Sequence, residues 1–201
     1  MTSHNTAATI DPDEKMRADF YDFLAGFLAR PPSAERLAAA AALQGDESPM
    51  GRAIDALARV AAHSTPRAAE REFNALFIGL GRGELLPFAS VYLTGFLNEK
   101  PLALLRRDMA VLGIHRADDV FEPEDNIASL MEMMAGLIEG RFGAPAGLQS
   151  QRDFFSRHIA PWAGPFFSDL EAAKGSVLYA PIGQIGRLFI EIEKEAFRLG
   201  G

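Results

Sequence analysis

The amino-acid sequence predicts an all-α protein, a single globular bundle of roughly nine or ten helices. Apolar residues recur every three or four positions along most of the chain, which is the period of a helix with one buried face. Proline and glycine divide these segments into lengths typical of globular helices. No segment alternates convincingly between apolar and polar residues, so no sheet is predicted. The chain has 201 residues, 48% of them hydrophobic, enough for a sizeable core.

The helices of the N-terminal half carry recognisable start and stop signals. Asp11-Pro12 caps and opens a first helix, which Pro31-Pro32 stops because proline cannot continue the hydrogen-bond ladder. Ser33 caps an alanine-rich helix, and Thr65-Pro66 opens another. The further helices predicted in this half cover residues 33–43, 50–62, 66–79, 90–98 and 101–112.

The C-terminal half follows the same pattern. Pro123 opens a strongly periodic helix that runs through Ile138, and glycine and proline in 143–147 break the chain again. The helices predicted in this half cover residues 123–138, 149–159, 165–173 and 182–199.

The predicted organisation is a flexible N-terminal segment, residues 1–10, followed by an all-helical domain, residues 11–201. The polar connector 113–121 is the best candidate for a hinge. It would divide a larger N-terminal part, 11–112, from a C-terminal part, 122–201. Such a hinge allows two copies to exchange parts, so a monomer and a swapped homodimer both stay open.

Composition and charge exclude several classes of function. The absence of cysteine excludes disulfides, thiolate metal sites and cysteine nucleophiles. A formal net charge of -7 disfavours nucleic acid as a partner, because its phosphates would be repelled. The N-terminus lacks the basic region and apolar run of a signal peptide, and no stretch is apolar enough for a membrane helix. The sequence therefore predicts a cytoplasmic protein without a membrane span.

No pattern of catalytic or cofactor-binding residues occurs in the sequence. None of the four histidines has the paired spacing of a helical zinc site. The glycines between 79 and 83 follow no predicted strand and precede no lysine, so a tight loop is favoured over a phosphate site. We therefore predict no enzyme activity, no catalytic residue, no metal site and no cofactor.

Three segments carry more specific patterns than helix packing needs, and the first spans residues 72–93. One interpretation is an amphipathic helix with a glycine cap, then a proline-bounded loop that enters a helix capped near Ser90. The other is that the loop and its aromatic residues form a binding rim, because loops on a rigid scaffold often carry function. The predicted binding residues of this segment are Leu86, Pro87, Phe88, Ser90 and Tyr92.

The second segment spans residues 121–127. Proline at the first helical position with acids in the first turn satisfies exposed amides and the helix dipole, which explains much of the pattern. The alternative is a carboxylate cluster of Glu122, Glu124 and Asp125 that clamps arginines of a partner through bidentate hydrogen bonds. Asn126 belongs to the same candidate site.

The third segment, residues 154–162, is rich in aromatic side chains. Core packing accounts for it, with the single tryptophan, Trp162, filling a corner. His158 is predicted to be neutral and hydrogen-bonded rather than a ligand.

In this order the three segments resemble the TorD/DmsD family of chaperones for molybdoenzymes. The motifs are a Leu-Phe stretch with glycines, Pro-x-x-Ser-Val-Tyr, Glu-Pro-x-Asp-His-Ile and His-Leu-x-Pro-Trp. The matching residues are Phe73, Leu76, Phe77, Gly79, Gly81, Pro87, Ser90, Val91, Tyr92, Glu122, Pro123, Asp125, Ile127, His158, Pro161 and Trp162. The helical pattern around them extends the resemblance to nearly the whole chain.

The sequence departs from the family pattern at three positions. Leu80 stands where proline is usual, and Phe88 stands near a position often occupied by tryptophan. Asn126 replaces the usual histidine beside Asp125. In the family this Asp-His pair is linked to leader-peptide binding. Asparagine still donates and accepts hydrogen bonds but cannot be protonated, so a cationic role is lost here.

The resemblance implies a TorD-like fold and a cytoplasmic chaperone. Such a chaperone binds the twin-arginine leader of an apo-molybdoenzyme, and often its folded body, until the molybdopterin cofactor is loaded. Not every branch has a client with a leader. The implied clients are formate dehydrogenase, from the likeness at 79–84 and 94–102, or a dimethyl sulfoxide or trimethylamine N-oxide reductase-like enzyme. The residues alone also leave open a helical scaffold joining two proteins, or a nucleotide-binding protein.

Overall fold

The computed structural model describes residues 10–79, 82–116 and 122–200. Over these ranges the protein has ten α-helices and two π-helical turns and no β-strand, which confirms the predicted all-α class. The α-helices are α1 (Pro12–Leu28), α2 (Ala34–Ala41), α3 (Pro49–Ala62), α4 (Pro66–Phe73), α5 (Ala89–Thr94), α6 (Lys100–Val111), α7 (Ile127–Glu139), α8 (Leu148–Phe154), α9 (Ala163–Ala172) and α10 (Tyr179–Leu199). The π-helical turns Asn74–Ile78 and Phe155–Ile159 continue α4 and α8.

The predicted start signals of the N-terminal helices form side-chain caps. Asp11, Ser33 and Thr65 each accept a hydrogen bond from a backbone amide in the first helical turn, at 2.9, 3.3 and 3.2 Å. Each cap satisfies an amide that has no partner within its own helix. These three helix starts are therefore confirmed.

Two predicted helix boundaries are wrong. Pro123 does not open α7, which begins at Ile127 with Asn126 as its capping residue. The helix predicted over 90–98 ends at Thr94, because Gly95 has a φ of 86° and closes α5 in the left-handed conformation. The chain between α5 and α6 is therefore a turn.

The core forms around α7. This helix is buried on nearly every side and packs along α1, as expected of a helix that is apolar all round. α10 packs against α9, where Gly186 leaves room for the ring of Phe167. A Cβ at Gly186 would lie 2.3 Å from that ring. The largest fully buried side chains include Trp162, Tyr21, Tyr179, Phe27, Phe155, Phe166 and Phe167.

A buried ionic network joins α1 to α10. Glu193 is 1% exposed and accepts hydrogen bonds from Arg17 Nε and Nη2, each at 2.8 Å, and from the Tyr21 hydroxyl at 2.8 Å. Arg17 also donates to Glu14 at 2.5 Å and to Gln151 at 3.0 Å. Such partners allow the burial of Glu193, because an unpaired charge in the core is costly.

The start of α10 is held by side chains from the first half of the chain. The Glu72 carboxylate accepts hydrogen bonds from the backbone amides of residues 177–179 at 2.7, 3.1 and 2.9 Å. An anion is stabilised there by the unpaired amides and the helix dipole. Glu84 accepts from the Lys174 amide at 2.9 Å, which ties the loop before α5 to the connection between α9 and α10.

Residues 1–9, 80–81, 117–121 and 201 lie outside the described residues. The predicted flexible segment 1–10 falls almost entirely among them, and so do Leu80, Gly81 and the second half of the predicted hinge 113–121. The division into 11–112 and 122–201 therefore stays a prediction. None of the described helices is long and apolar enough to cross a membrane.

Candidate functional site

Two of the three predicted segments meet directly in the structure. Phe88 and Asn126 form an antiparallel bridge. The Ala89 amide donates to the Asp125 carbonyl and the Ile127 amide donates to the Pro87 carbonyl, each at 2.9 Å. The predicted site residues from 86–92 and 122–126 thus belong to one place, at the starts of α5 and α7.

Asp125 holds these two segments together through its side chain. It is 1% exposed, and its Oδ2 accepts from the Ser90 amide at 2.8 Å and from the Ser90 hydroxyl at 2.6 Å. The carboxylate therefore caps α5 from another part of the chain, and Ser90 is not the capping residue that the sequence predicted. Asp125 Oδ1 is buried and has no hydrogen-bond partner in the described part of the chain.

Asn126 has a local structural role. Its Oδ1 accepts from the Ala128 amide at 2.9 Å, which caps α7, and its Nδ2 donates to Glu122 at 3.2 Å. The asparagine is buried, so its amide group needs these two hydrogen bonds in place of those it would make with water. Asn126 therefore caps α7, and the predicted arrangement, with Pro123 at the first helical position and acids in the first turn, is wrong.

Glu124 is neutralised by arginines of this chain. It is buried and accepts from Arg106 Nε at 3.0 Å and Nη2 at 2.8 Å, and Arg116 Nη1 lies 3.7 Å from Glu124 Oε1. Burial by itself raises the pKa of Glu124, but the Arg106 hydrogen bonds and the nearby arginine charges hold that pKa below its ordinary value. Of the three predicted clamp acids, only Glu122 is exposed.

The side chains of the predicted binding rim are largely internal. Tyr92 packs against Trp162 and Phe166, with ring centroids 5.4 and 5.9 Å away, and its hydroxyl donates to Asp169 at 3.0 Å. Burial raises the pKa of the Tyr92 hydroxyl. Pro87 is buried, and Leu86 and Phe88 are half-buried. These side chains support the site more than they present a surface.

The exposed apolar surface lies one turn further along the chain. Leu93, Phe96 and Leu97 are 44%, 69% and 44% exposed, which makes Phe96 the most exposed aromatic residue described. Residues 90–98 were predicted to form one helix, so this exposed surface was not predicted. Gly95 was the sequence signal for this surface. A glycine there ends α5, so the apolar residues after it do not continue the buried face of the helix.

A pocket of about 80 Å³ separates this surface from Asp125. Its walls come from α5, α6, α7 and the π-helical turn after α8, and they are mostly aliphatic. The lining residues are Ala89, Leu93, Pro101, Leu104, Leu105, Asp125, Leu130, Arg157 and His158. All three predicted segments therefore contribute to one cavity.

His158 is buried in the wall of the pocket and is hydrogen-bonded, as predicted. Its Nε2 lies 2.7 Å from Asp108 Oδ2, which also accepts from Arg157 Nη1 at 2.5 Å. Burial lowers the pKa of His158 by more than the Asp108 contact raises it, so the ring is neutral at pH 7. The neutral ring then donates its Nε2 proton to Asp108.

The described residues contain no group of three or more histidines and carboxylates placed to hold a metal ion. Asp108 and His158 form a pair, and the orphan oxygen of Asp125 belongs to a carboxylate already bound to Ser90. The arrangement can bind a ligand by charge and apolar contact.

The helical fold resembles that of a solved archaeal structure. A crystal structure of a proposed redox enzyme maturation protein from Archaeoglobus fulgidus superposes with a TM-score of 0.57 at 22% sequence identity. The superposition covers 88% of this chain and 94% of that one. At this identity the likeness concerns the fold.

The sequence comparison identifies the family. The model of the nitrate reductase delta subunit family matches residues 43–168, more than half of the chain. The chaperone protein TorD of Vibrio cholerae is 31% identical over 130 residues, 61% of this chain and 59% of that protein. TorD of Vibrio parahaemolyticus is 24% identical over 137 residues, 64% of this chain and 63% of that protein.

The chain belongs to the nitrate reductase delta subunit family, to which the TorD chaperones also belong. The predicted resemblance is thereby confirmed. The chain spans about three-fifths of the length of the TorD relatives that it matches.

Proposed function

We propose that this protein is a cytoplasmic chaperone that binds an apo-molybdoenzyme and assists its maturation, without catalysing a reaction itself. Its family membership and its likeness to proteins named as TorD chaperones support this proposal. The structural observation that carries it is an exposed apolar surface, Leu93, Phe96 and Leu97, beside a pocket with a buried carboxylate. Exposed apolar surface next to polar groups is typical of a protein-binding site.

The chemistry of this surface suits a client segment that combines a cation with apolar residues. A twin-arginine leader has this composition, so leader binding is part of the proposal. Burying an apolar client segment against Phe96 and its neighbours is favourable, at roughly 25 cal/mol per Å² of apolar area removed from water. The net charge of -7 favours a basic partner over an acidic one.

The client that we propose is the catalytic subunit of a molybdoenzyme, with formate dehydrogenase and a dimethyl sulfoxide or trimethylamine N-oxide reductase-like enzyme as the candidates. Because binding should precede cofactor loading, the chaperone is expected to prefer the apo form. A swapped homodimer through the hinge 113–121 remains part of the proposal and is open to a measurement of mass in solution.

Co-purification of the tagged protein with a co-expressed candidate client tests this function. We expect capture of the client, with and without its leader, and a molybdenum content well below that of the free enzyme. Phe96→Ala should reduce capture, whereas Ile192→Ala, which removes an exposed apolar side chain from α10, should not. Equal capture of apo and loaded client, or no capture of either candidate, contradicts the proposal.

A further inference from the structure

Cavities surround α6 on the sides that face the rest of the protein. One of about 80 Å³ lies between α6, α5 and α7, one of about 200 Å³ between α6 and α8, and one of about 150 Å³ between the end of α6 and α7. The residues of α6 that line them are Pro101, Leu104, Leu105, Asp108, Met109 and Val111. Protein interiors are normally close-packed, so α6 fits loosely against its neighbours.

α6 also has few apolar contacts with the core. Three of its 12 residues are buried, against ten of the 13 residues of α7. Of the three, Leu105 and Met109 belong to the main hydrophobic core, whereas Leu102 lies outside it. The helix that packs most closely along α6 is the short helix α5. Because hydrophobic stabilisation follows the apolar area that is buried, burial holds α6 less firmly than it holds α7.

The backbone at both ends of α6 has the features of a hinge. Before the helix, Gly95 and Asn98 have φ angles of 86° and 59°, and every residue from 93 to 100 is exposed. After the helix, Gly113 is exposed and has a φ of 70°. Hinge motions are absorbed by a few residues at the ends of elements. Here those residues can rotate without moving a buried side chain of their own.

Charged side chains connect α6 to the body of the protein. Asp108 accepts hydrogen bonds from Arg157 at 2.5 Å and from His158 at 2.7 Å, both in the π-helical turn 155–159. Arg106 donates to Glu124 at 2.8 Å. The Asp108 and Arg157 side chains are 24% and 54% exposed, so water screens their contact and can solvate both charges when it breaks.

We propose that α6 opens away from α7 and from the turn 155–159 while the rest of the protein stays folded, and that Asp108 is the latch that holds it closed. Opening joins the three cavities and exposes Leu105 on α6 and Leu130 on α7. These side chains then extend the apolar surface at Phe96, which directly precedes α6 in the chain.

The latch thereby lowers the affinity for the client, a step that rests on the proposed function. The closed form presents the exposed surface of Leu93, Phe96 and Leu97, whereas the open form presents more apolar area to a client. A ligand that prefers the open form binds with an apparent affinity reduced by the fraction of open molecules. Weakening the latch raises that fraction and strengthens client binding.

Thiol labelling measures the opening, because the chain contains no cysteine. Leu105→Cys places a thiol on α6 at a position 1% exposed, and Leu24→Cys places one on α1 at a position 0% exposed. A maleimide dye reacts with either thiol only when local opening or global unfolding exposes it. We expect Leu105→Cys to react faster than Leu24→Cys in the absence of denaturant. Equal rates overturn the proposal.

A second substitution in the Leu105→Cys protein identifies the latch. Asp108→Asn keeps the shape of the side chain and removes its charge, and it should raise the labelling rate about tenfold. Asp153→Asn is the matched control, because this carboxylate lines the same 200 Å³ cavity but accepts a hydrogen bond from Gln149 on its own helix. The control should leave the rate unchanged. Equal rates for the two variants overturn the role of Asp108.

Glu193→Gln separates local opening from global unfolding. The hydrogen bonds of Glu193 join α10 to α1, so they stay intact when α6 opens and are lost when the whole chain unfolds. The substitution should therefore speed the labelling of Leu24→Cys and leave that of Leu105→Cys unchanged. Equal acceleration of both thiols means that α6 opens only with the whole protein, which overturns the proposal.

Hydrogen exchange in the unsubstituted protein keeps the test valid if a cysteine variant does not fold. The amides of α6 should exchange at a rate that low concentrations of urea hardly change, because a local opening exposes little surface. The amides of α7 should exchange faster as urea is added, because they need global unfolding. The same urea dependence in both helices overturns the proposal.

Co-purification tests the effect on the client. Asp108→Asn should bind a co-expressed client more tightly than the wild type, by up to about tenfold, and Asp153→Asn should not. Binding no tighter than that of the control overturns the effect on affinity. If labelling is as expected and no variant captures a client, the proposed function fails and the opening of α6 stands. If labelling shows no opening and the client is captured, the opening fails and the proposed function stands.

Discussion

The buried network around Glu193 allows a stability prediction whose size follows from the contacts. Glu193→Gln keeps the shape of the side chain and removes its charge. The two bonds from Arg17 and the one from Tyr21, all 2.8 Å, then become hydrogen bonds to a neutral amide, which has one acceptor oxygen in place of two. Hydrogen bonds to charged groups contribute about 1.5–3 kcal/mol and neutral ones about 0.5–1.5 kcal/mol.

We therefore expect Glu193→Gln to lower the free energy of unfolding by about 2–3 kcal/mol, since at least one of the three donors loses its acceptor. Arg17 limits the loss, because it keeps its hydrogen bonds to Glu14 and Gln151. Tyr21→Phe, which removes only the hydroxyl, should cost about 1.5–3 kcal/mol, because the lost hydrogen bond is made to a charged carboxylate. The unfolding midpoint in urea, followed by circular dichroism, measures all of these effects.

Glu191→Gln is the matched control on the same helix. Its carboxylate is exposed and lies 3.3 Å from Arg187, so the substitution should leave the midpoint unchanged within error. Client capture should be unaffected by either substitution, because neither residue lines the Asp125 pocket. Equal midpoints for Glu193→Gln and Glu191→Gln would refute the view that this network stabilises the packing of α1 on α10.

Three further predictions concern pH and helix caps. The folded-state pKa of His158 lies below its ordinary 6.5, so the unfolded chain takes up the proton first and the free energy of unfolding should fall as pH drops below 6.5. His158→Gln should make the urea midpoint depend less on pH below 6.5. Parallel curves of midpoint against pH for the variant and the wild type would contradict this. Asn126→Ala should cost about 1 kcal/mol through loss of the α7 cap, while Asn126→Asp keeps the acceptor and should cost less; equal losses in calorimetry would exclude the capping role. Glu72→Gln weakens the anionic cap of α10 and should lower thermal stability by about 1–2 kcal/mol, with faster amide exchange at residues 177–179; unchanged exchange would argue against it.

Sequence signals predicted helix starts well where the capping side chain and the amide that it caps lie within one helical turn of each other. Ser33 and Thr65 cap the helices that follow them, because such a cap needs only an acceptor three residues before its amide donor. The start of α7 was misplaced because proline and acids also suit a first helical turn, and local rules do not distinguish Pro123 from Asn126. The end of α5 was missed although Gly95 was visible, since glycine also occurs inside helices.

The two segments of the candidate site lie together in the structure, but the contacts of their side chains differ from those the sequence predicted. The motif order brought 86–92 and 122–126 together as a binding region, and the structure joins them through Phe88 and Asn126. The sequence left the three acids of the cluster available to bind arginines of a partner. In the structure Arg106 neutralises Glu124, and one of the two carboxylate oxygens of Asp125 accepts hydrogen bonds from Ser90. The exposed apolar surface was predicted at Tyr92 but lies at Phe96, because Tyr92 packs on Trp162.

The sequence by itself determined the all-helical class, most helix starts, the absence of cysteine chemistry and the family, since period, capping and motif order are properties of neighbouring residues. Tertiary structure alone decided which charges are satisfied. Glu193 meets Arg17 across 176 residues, and Asp125 meets Ser90 across 35. Whether a carboxylate is free to bind a partner depends on which hydrogen-bond donors the tertiary packing places beside it. These donors are distant in sequence, so no local pattern in the chain predicts them.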